Sequence, residues 1–442
     1  MFVKVVVAKP LYQRFPYAFD PSELPVEIGM RLIVPFGTKE LKAFAVEISE
    51  TVEPSSYEIK SVKKIVDDLP IFTSHHIQLA LWMSKLYLCS EGEALSAMIP
   101  SNKREMSEDL FPESSFTTTT VREEQLSDEQ RKAIDTIYES TQPLHYLYGV
   151  TGSGKTEVFF HLAEKVIQEK KEVIYLVPEI TLTYQLSQQI SSRFNKRVAI
   201  LHSKMTGNQR LNQWRRIQRK EVDIVIGARS AIFAPFDNVG LIIIDEEHEN
   251  TYKAGNTPRY HARQVAQKIA SMHNAKIVMG SATPSLEAWQ MIQENHIVQH
   301  TLSNRVAGGS MPTVEIVDML NEREMLSRTL SKEIEKTLKN KRQVILFLNR
   351  RGFSYFFHCN SCGYEMMCPH CSVALTYHKS ENTMVCHYCN YTTRPISVCP
   401  DCKSLDVGYG GFGTQMVEQE IHNKFPLASI VRLDADVNKK RG

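Results

Sequence analysis

The 442-residue sequence has no long apolar stretch, and runs such as Leu241–Ile244 fall far short of the ~20 apolar residues that span a bilayer. Its first residues, Met1–Phe19, lack the basic flank, apolar segment and small-residue cleavage site of an export signal. Neither sign of charge is in excess, since 52 basic side chains balance 50 acidic ones. Any nucleic-acid contact must therefore come from local basic patches. These absences exclude a membrane-spanning protein and predict a cytoplasmic location with no membrane partner.

Cysteine is almost absent from most of the chain, where Cys89 stands alone, and the other eight cysteines lie between Cys359 and Cys402. Without an export signal, such a cluster indicates metal ligands rather than disulfides. The sequence also lacks internal repeats and low-complexity tracts. Its 42% apolar and 23% charged residues are typical of folded domains, and its length predicts two to four of them.

The order of apolar segments divides the chain. Residues 1–100 begin with Val- and Ile-rich strands and end in helical periodicity over 74–98, which predicts one or two helices, so they predict a small β-rich domain. Residues 101–125 lack apolar periodicity and are interpreted as a linker. Residues 126–310 alternate short apolar strands with helices, which is typical of a parallel α/β sheet. The six predicted strands are 145–149, 173–177, 198–201, 222–227, 241–245 and 276–280, and the predicted helices are 157–170, 182–194 and 209–219. A second α/β unit is predicted over 311–354 and 406–442, with helices at 329–339 and 413–425 and strands at 343–349 and 429–433. It is interrupted by a cysteine-rich insertion at 355–405.

A phosphate-binding loop is predicted between a strand and a helix. The segment 149–156 fits the pattern G-x-x-x-x-G-K-[ST], in which backbone N–H groups and the helix N-terminus surround phosphates. Lys155 would reach the β- and γ-phosphates, and the Thr156 hydroxyl would hold Mg²⁺. The predicted ATP-binding residues of the loop are Gly149, Thr151, Gly152, Ser153, Gly154, Lys155 and Thr156.

The carboxylates that such a loop requires follow another apolar strand. Leu241–Ile244 leads directly into Asp245-Glu246-Glu247-His248. Asp245 would bind Mg²⁺ through water, and Glu246 would orient the attacking water as the general base. Lys155, Asp245 and Glu246 are therefore the predicted catalytic residues. A third strand ends in Gly280-Ser281-Ala282-Thr283, whose hydroxyls can hydrogen-bond the carboxylate or DNA.

The cysteine cluster consists of four C-x-x-C pairs, each able to place two thiolates on a tetrahedral Zn²⁺. Eight cysteines thus predict two closed four-thiolate sites. Their pairing is ambiguous in principle, but the gap between Cys371 and Cys386 suits a single site. The predicted ligands are Cys368, Cys371, Cys386 and Cys389 for that inner site, and Cys359, Cys362, Cys399 and Cys402 for the outer one.

With these motifs in place, the sequence resembles the superfamily 2 helicases and, more closely, the PriA family of replication-restart helicases. The resembling segments are 126–130, 176–183, 227–231, 245–248, 258–263, 280–285 and 348–352. The resemblance implies two RecA-like helicase lobes, of which 126–310 is the first and the second carries the zinc insertion with the nested pairing. It also implies that Gln130 contacts the adenine and that Pro178, Glu179 and Arg229 line the DNA track.

Two further DNA-binding regions are expected. The rings of Tyr252 and Tyr260, with His261 and neighbouring basic residues, could stack on unpaired bases; in the family this loop couples DNA binding to ATP hydrolysis. An ordinary, partly buried loop is the alternative interpretation. Residues 1–100 resemble the family's 3′-DNA-end-binding domain. Its end-binding pocket is matched by Phe15, Gly37 and Lys60, whereas Pro16 replaces a residue that is usually polar there.

The function expected from this resemblance is an ATP-dependent 3′→5′ DNA helicase that recognises stalled or branched forks and promotes primosome assembly and replication restart. Its expected partners are forked and single-stranded DNA, single-stranded-DNA-binding protein, primosome proteins and the replicative helicase, and its cofactors are ATP, Mg²⁺ and two Zn²⁺. The sequence departs from the family in lacking a winged-helix domain near 101–125 and helicase motifs V and VI after residue 433. A catalytically silent fork-binding scaffold or helicase fragment is therefore the alternative, and a translocase that does not unwind is a third interpretation.

Overall fold

A computed structural model of the chain divides into two compact units, Met1–Ser310 and Met311–Gly442, and each is considered by itself. The residues that the structure describes are 1–52, 58–99, 126–178, 190–191, 193–194, 197–202, 205–306, 308, 312–319, 322, 324–348, 355–359, 361–378, 381–410 and 414–433. The predicted linker 101–125 lies outside them, as do residues 182–189 and 192 of the helix predicted over 182–194.

The N-terminal part of the first unit is an antiparallel five-stranded sheet in the order β2-β1-β4-β3-β5. Its strands are β1 (Phe2–Val7), β2 (Phe15–Ala18), β3 (Arg31–Phe36), β4 (Lys39–Ser49) and β5 (Lys64–Ile65). Val3, Val5 and Val7 alternate along β1 and are buried on one face of the sheet, and Val6 is buried on the other face. A bridge between Ala18 and Ser61 joins the free edge of β2 to the segment before β5, so the sheet curls towards closure.

Two helices follow this sheet and confirm the predicted helical segment 74–98. They are α1 (Ser74–Tyr87) and α2 (Glu91–Met98), separated by Leu88 in a left-handed conformation with φ of 51°. α1 packs against the next part of the chain through His76, whose Nε2 lies 3.0 Å from the Phe233 carbonyl oxygen. Trp214 Nε1 donates to the Ile71 carbonyl oxygen at 3.0 Å, which adds a second connection.

The remainder of the first unit is built on a seven-stranded parallel sheet in the order β12-β6-β11-β10-β7-β9-β8. Its strands are β6 (Leu144–Gly149), β7 (Glu172–Leu176), β8 (Val198–Leu201), β9 (Ile224–Gly227), β10 (Val239–Asp245), β11 (Lys276–Ser281) and β12 (Val298–Leu302). Its helices are α3 (Asp128–Glu139), α4 (Lys155–Gln168), α5 (Gly207–Gln218), α6 (Ala262–His273) and α7 (Leu286–Gln293). The predicted α/β fold of residues 126–310 is confirmed.

Burial explains why these segments become strands. The central strands β7, β9 and β10 are apolar on both faces, and nearly all their side chains are buried between the helices on the two sides. All six strands predicted here form, with end shifts of up to two residues. The edge strand β12 was not predicted, because its sequence VQHTL alternates with polar residues and has no long apolar run.

The second unit contains helices α8 (Arg328–Lys339) and α9 (Thr414–Lys424), as predicted. It also contains an antiparallel sheet in the order β16-β15-β14-β13-β17. Its strands are β13 (Tyr355–Cys359), β14 (Thr376–His378), β15 (Thr383–Val385), β16 (Thr392–Thr393) and β17 (Val407–Gly410). This small sheet spans the predicted cysteine-rich insertion.

The two strands predicted at 343–349 and 429–433 are not formed in the described part of this unit. The side chains of Ile345 and Phe347 are 91% and 86% exposed, and Leu433 is 80% exposed. A strand needs a neighbour to pair its backbone N–H and C=O groups, and neither segment has such pairing among the described residues. An apolar run is therefore not sufficient to form a strand.

Candidate active site and metal centres

The three predicted motifs lie together because their strands are neighbours. β11 pairs with β6 on one side and with β10 on the other, all in parallel. Gly149, Ser281 and Asp245 are the last residues of these strands, so they share the carboxyl edge of the sheet. Ligands of open parallel sheets bind outside this edge. The candidate site is therefore the space above it.

The phosphate loop turns between β6 and α4 in the expected form. Gly152 and Gly154 have φ of 82° and 79°, a left-handed conformation that favours glycine. The first turn of α4 follows at Lys155, so its free N–H groups and positive dipole end face the loop. Lys155 is mostly buried, and its Nζ donates to the Gly149 carbonyl oxygen at 2.9 Å.

The loop residues fit a bound nucleoside triphosphate. The Ser153 Oγ is buried and has no hydrogen-bond partner in the part of the chain that the structure describes. Lys155 Nζ donates its hydrogen bond to the Gly149 carbonyl oxygen, and a phosphate oxygen can replace that carbonyl as the acceptor. A Cβ on Gly154 would lie 2.2 Å from Gln130 Nε2, so a larger residue there would close the loop against α3.

Asp245 and Thr156, the predicted Mg²⁺ ligands, are joined by a tyrosine that sequence reasoning missed. The buried Tyr175 hydroxyl donates to Asp245 Oδ2 at 3.1 Å and is also hydrogen-bonded to the Thr156 side chain. Tyr175 lies on β7, beside β10 in the sheet. One hydroxyl therefore holds both oxygen-bearing side chains in place, and oxygen ligands of this kind are those that Mg²⁺ prefers.

Burial raises the pKa of the Asp245 carboxyl to about 6, and the negative charge of Glu246 acts in the same direction. The Tyr175 hydrogen bond and the Lys155 charge oppose this shift. A buried carboxylate with a raised pKa favours a bound cation, because the cation supplies the opposite charge that the site lacks.

Glu246 has a conformation that directs it towards Ser281. Its φ of 44° is unusual for a residue other than glycine, and its N–H donates to Asp245 Oδ1 at 3.0 Å. Glu246 Oε2 accepts a hydrogen bond from Ser281 Oγ at 2.9 Å, and His248 Nδ1 lies 2.7 Å from the same hydroxyl. The hydroxyl of the third motif thus bonds to the second, as the sequence predicted for a neighbouring carboxylate.

Glu247 is a second residue that sequence reasoning did not single out. Its side chain is fully buried and accepts hydrogen bonds from the Tyr146 hydroxyl and the Arg263 guanidinium, both at 3.0 Å. It also accepts from the Ser285 N–H at 2.8 Å and the Ser285 hydroxyl at 3.0 Å. Glu247 therefore fastens the starts of α6 and α7 to the strand-end residues, and its role is structural.

Gln130 faces the phosphate loop. Its Nε2 donates to the carbonyl oxygens of Ser153 and Gly154, at 3.1 and 3.4 Å. Its Oε1 accepts from the Ser127 N–H at 2.9 Å, which completes the capping box at the start of α3. Both ends of the amide are thus engaged within the protein, so in this conformation Gln130 holds the loop, whereas the resemblance implied an adenine contact.

The aromatic loop after Glu249 is folded inwards. Tyr252 and Tyr260 are 1% and 4% exposed, so neither ring presents a face for base stacking in this conformation. The Tyr252 hydroxyl donates to the Asp245 carbonyl oxygen at 2.6 Å, and Tyr260 packs edge-on against Phe233. For these two rings the structure agrees with the alternative interpretation, an ordinary, partly buried loop. The exposed residues of this loop include its cations, Lys253 and Arg259.

Arg229 and His261 fix the two ends of this loop. The Arg229 guanidinium donates to the carbonyl oxygens of Thr251 and Lys253, at 2.8 and 2.6 Å, and lies over the Tyr260 ring. His261 caps α6 by accepting from the Arg263 N–H, and burial lowers its pKa to about 4. Pro178 is buried just after β7, and Glu179 lies outside the described residues.

The three residues predicted to receive a DNA end lie on one part of the N-terminal sheet. Phe15 packs edge-on against Phe36, with ring centroids 5.1 Å apart. Gly37 follows Phe36 with φ of 61°, and no described residue beyond its chain neighbours lies within 4 Å of the position that a Cβ would take. The Lys60 carbonyl oxygen accepts from the Ala18 N–H at 3.0 Å, and its side chain is exposed. Pro16 lies on β2, opposite Lys4.

The eight clustered cysteines form two groups with the predicted nested membership. In each group the four sulfur atoms all lie within 4.8 Å of one another. Cys359 and Cys402 sulfurs are 3.5 Å apart in the outer group, and those of Cys368 and Cys389 are 3.7 Å apart in the inner one. Four thiolates at about 2.3 Å from a tetrahedral Zn²⁺ have such spacings, so the residues fit zinc.

Each C-x-x-C pair has the same local turn. The first cysteine's carbonyl oxygen accepts a hydrogen bond from the N–H four residues later, as in the bond from Gly363 to Cys359. Gly363, Ser372, Asn390 and Lys403 complete the four turns, all with positive φ. The repetition of this strained turn with three non-glycine residues supports a metal-bound role for all four pairs.

Comparisons with known families match three parts of the chain. Residues 4–100 match the family described as 3′DNA-binding domain (3′BD) of PriA, and residues 127–292 match the DEAD/DEAH box helicase family. Residues 368–394 match the PriA DNA helicase Cys-rich region (CRR) domain. Among the described residues, no helix is long and apolar enough to cross a membrane.

Curated relatives match over most of the chain. The replication restart protein PriA of Treponema pallidum is 46% identical over 98% of this chain and 67% of its own length. That of Haemophilus influenzae is 30% identical over 100% of this chain and 71% of its own length. The Bacillus subtilis protein is 41% identical over 72% of this chain, but this match spans only 40% of its own length.

Solved helicase structures resemble parts of the chain. The DUF1998 helicase MrfA bound to DNA and AMPPNP has a TM-score of 0.38 and 18% identity, covering 56% of this chain and 38% of its own. RecG bound to a three-way DNA junction has a TM-score of 0.32 and 20% identity, covering 49% of this chain and 28% of its own.

Proposed function

Because this chain belongs to the PriA family of replication restart proteins, we propose that it is an ATP-dependent helicase that moves 3′→5′ along single-stranded DNA at stalled or branched forks. The observation that carries the proposal is the hydrogen-bonded network at one sheet edge. It joins Thr156 to Asp245 through Tyr175, and Glu246 to Ser281. The family's helicase class and this network support ATP hydrolysis as the energy source.

Nucleotide binding starts with an exchange of hydrogen bonds at Lys155. Its ammonium group leaves the Gly149 carbonyl and binds the β- and γ-phosphates, while the N–H groups at the start of α4 bind the remaining phosphate oxygens. Thr156 and Asp245 would hold Mg²⁺, which supplies neutralising charge at the phosphates. Tyr175 keeps these two side chains in register before the metal binds.

Glu246 accepts the proton of the attacking water. The hydrogen bond from Ser281 fixes Glu246 Oε2, which leaves Oε1 as the acceptor for that proton. His248 lies on the same Ser281 hydroxyl, so a change at the third motif would move the general base. Ser281 thus acts as a positioning residue for hydrolysis.

DNA contacts in this proposal come from several surfaces. Phe15, Gly37 and Lys60 would receive a 3′ end, and Pro178, Glu179 and Arg229 would line the single-strand track. Tyr252 and Tyr260 would contribute from inside the loop, by linking Arg229 to the Asp245 carbonyl, and His261 by capping α6 at the end of the loop. Lys253 and Arg259 offer exposed cations to phosphates. Zinc at the two cysteine groups, two ions per chain, would stabilise a fork-binding module.

The remaining elements of the proposal follow the family. Single-stranded-DNA-binding protein, primosome proteins and the replicative helicase would be the partners in the cytoplasm. The chain spans 67% of the T. pallidum relative and 40% of the B. subtilis one, and the activity of the whole relatives is proposed here for this chain.

Strand displacement from partial duplexes with a 3′ or a 5′ single-stranded arm tests the proposal. We expect ATP-dependent unwinding of the duplex that a 3′→5′ motor approaches, and more than a hundredfold loss in Glu246→Gln. Glu294→Gln, an exposed carboxylate away from the network, is the matched control. Unwinding of the opposite polarity, or full activity in Glu246→Gln, would contradict the proposal.

Two other outcomes would indicate other functions. ATP hydrolysis with protein displacement but no strand separation would indicate a translocase. Tight fork binding with no ATP turnover would indicate a scaffold that assembles other proteins on the fork.

A further inference from the structure

A short segment after β12, Ser303–Val306, lies against the phosphate loop and has no role in the function proposed above. We call it the strap. It follows Leu302, which is paired with Gly149, so the strap leaves the sheet beside the start of the phosphate loop. The Val306 N–H then donates to the Gly152 carbonyl oxygen at 2.9 Å.

A second set of hydrogen bonds holds the strap on α3. Glu129 Oε2 accepts from the Ser303 N–H at 2.8 Å and from the Asn304 N–H at 3.4 Å. Glu129 Oε1 accepts from Asn304 Nδ2 at 3.2 Å. Glu129 and Gln130 are neighbours on α3, so one helix end positions the strap through the first residue and the loop through the second.

The strap contacts the phosphate loop on the side of its carbonyl oxygens. A carbonyl points away from the N–H of the next residue across the peptide plane. The carbonyls of Ser153 and Gly154 are directed to Gln130, and that of Gly152 to Val306. The N–H groups of Gly154 and Lys155, which bind phosphates, therefore face the other way. The strap therefore leaves these N–H groups free for the triphosphate, and any contact that it makes with a bound nucleotide is with the nucleoside.

Two strap side chains are suited to that contact. Val306 is 63% exposed although its backbone is fixed, and its Cγ2 lies 3.1 Å from the position of a Cβ on Gly154. Arg305 Nε is buried and has no hydrogen-bond partner among the residues that the structure describes. An unpaired buried donor is unfavourable, and the ring nitrogens and ribose oxygens of a nucleoside are acceptors that would satisfy it.

Building on the proposed ATP site, we propose that the strap is its nucleoside-binding wall. Val306 packs against the base, and Arg305 donates to acceptors of the base or ribose. Both ends of the Gln130 amide are hydrogen-bonded within the protein, so in this conformation the nucleoside contacts come from the strap instead. The nucleoside is then recognised by the strap, and the triphosphate by the loop.

Calorimetric titration of the full chain with two probes in Mg²⁺ separates recognition of the nucleoside from recognition of the triphosphate. The probes are a non-hydrolysable ATP analogue and inorganic tripolyphosphate, which has no nucleoside. Val306→Asn and Arg305→Gln should each weaken binding of the ATP analogue about tenfold, since each removes one pocket contact. Their tripolyphosphate affinity should remain within about twofold of the unaltered chain. Val314→Asn, at an exposed valine of the second unit, is the matched control and should change neither affinity.

A third variant tests how the strap is held. Glu129→Ala removes the acceptor of three strap hydrogen bonds and should weaken the ATP analogue without weakening tripolyphosphate. Because tripolyphosphate binding reports an intact loop, a misfolded variant is recognised by the loss of both ligands. Lys155→Ala should also lose both ligands, for it removes the shared phosphate contact.

The outcomes separate the two proposals. Unchanged affinity for the ATP analogue in both strap variants would overturn the nucleoside wall and leave the ATP site intact. Equal weakening of both probes would also overturn it, because the strap would then act through the loop. Failure of the unaltered chain to bind either probe would overturn the proposed ATP site, and the wall with it.

Discussion

The two sheets that carry the predicted sites, one in each unit, are stabilised in different ways. The parallel sheet of the first unit lies between helices, and its central strands are almost fully buried. The cysteine-rich sheet has a small core in which Phe357, Leu375 and Met384 are buried together with Cys368 and Cys386. The difference indicates that hydrophobic burial holds together the sheet with the candidate ATP site, whereas metal–thiolate bonds are needed to hold together the cysteine-rich sheet.

Zinc removal should reveal the difference in stability between the two sheets most strongly. Structural zinc contributes about 10–16 kcal/mol of apparent binding free energy in small metal-dependent folds. Chelation should therefore unfold the sheet over residues 355–410 and leave the parallel sheet folded. Hydrogen exchange of peptides from both sheets measures this, with metal analysis that should find two Zn²⁺ per chain. Retained protection of the cysteine-rich sheet without metal, or iron in place of zinc, would contradict the account.

A matched pair of cysteine variants sharpens that test. Cys386→Ala should lose one zinc ion, for Cys386 is one of four grouped sulfurs. Cys89→Ala should lose none, although Cys89 is just as buried, because it lies in the apolar core of the first unit. Equal zinc content in the two variants would argue against the inner site.

Glu247→Ala should have the next largest effect, now on the first unit. Removing one partner of a buried ion pair costs about 3–5 kcal/mol, since the mostly buried Arg263 guanidinium loses its buried carboxylate partner. Urea unfolding followed by tryptophan fluorescence reports this unit alone, because Trp82, Trp214 and Trp289 all lie in it. Glu287→Ala, an exposed carboxylate near the same arginine, should change the unfolding free energy by less than about 0.5 kcal/mol. Similar losses in both variants would contradict the buried role of Glu247.

Two isoleucines in similar apolar runs should differ in their effects. Ile243 is fully buried in β10, so Ile243→Ala should destabilise the first unit by about 2–5 kcal/mol. Ile345 is 91% exposed, so Ile345→Ala should change local opening free energies in the second unit by about 0.5 kcal/mol or less. Hydrogen exchange of the segment around each residue measures both. A large loss of protection in Ile345→Ala would mean that 343–348 is packed as a strand in solution.

Acidification should lower the unfolding free energy by a smaller amount, through the packing of α1 within the first unit. Burial lowers the pKa of His76 to about 4 from the ordinary 6.5. The folded state then binds fewer protons than the unfolded state, so the contribution is fully present above about pH 6.5 and decreases as the pH falls towards 4. Between pH 7 and 5 the loss should be about 2 kcal/mol.

The pH effect is measured as the unfolding free energy at several pH values. His76→Gln should flatten part of the profile, and His145, whose pKa is also lowered to about 4 by burial, should account for another part. His296→Gln, at an exposed histidine, should leave the profile unchanged. An unaltered slope in His76→Gln would contradict the assignment.

The sequence was informative where short-range chemistry decides the structure. The phosphate loop, the acidic end of β10 and the nested cysteine groups were predicted because each depends on residue types at fixed spacing. The strands of the parallel sheet were predicted because both of their faces are apolar. β12 was missed since an edge strand with polar positions lacks that pattern.

The sequence was silent where partners come from distant segments. Tyr175 and Glu247 have site-defining hydrogen bonds to residues up to 101 positions away, which no local pattern reveals. The aromatic residues of the loop were expected to face DNA, but Tyr252 and Tyr260 are buried, because a ring near basic residues has the same sequence pattern whether it is inside or outside. The run at 343–349 was expected to be a strand from its apolar residues alone. Those residues do not show whether a partner strand is present.

ATP turnover by the purified chain, with and without a forked DNA that has a free 3′ end, tests the central claim most directly. The hydrogen-bonded strand ends around Lys155, Asp245 and Glu246 predict hydrolysis that the fork stimulates and that Lys155→Ala abolishes. Fork binding with no turnover, or turnover that Lys155→Ala leaves unchanged, would contradict the account.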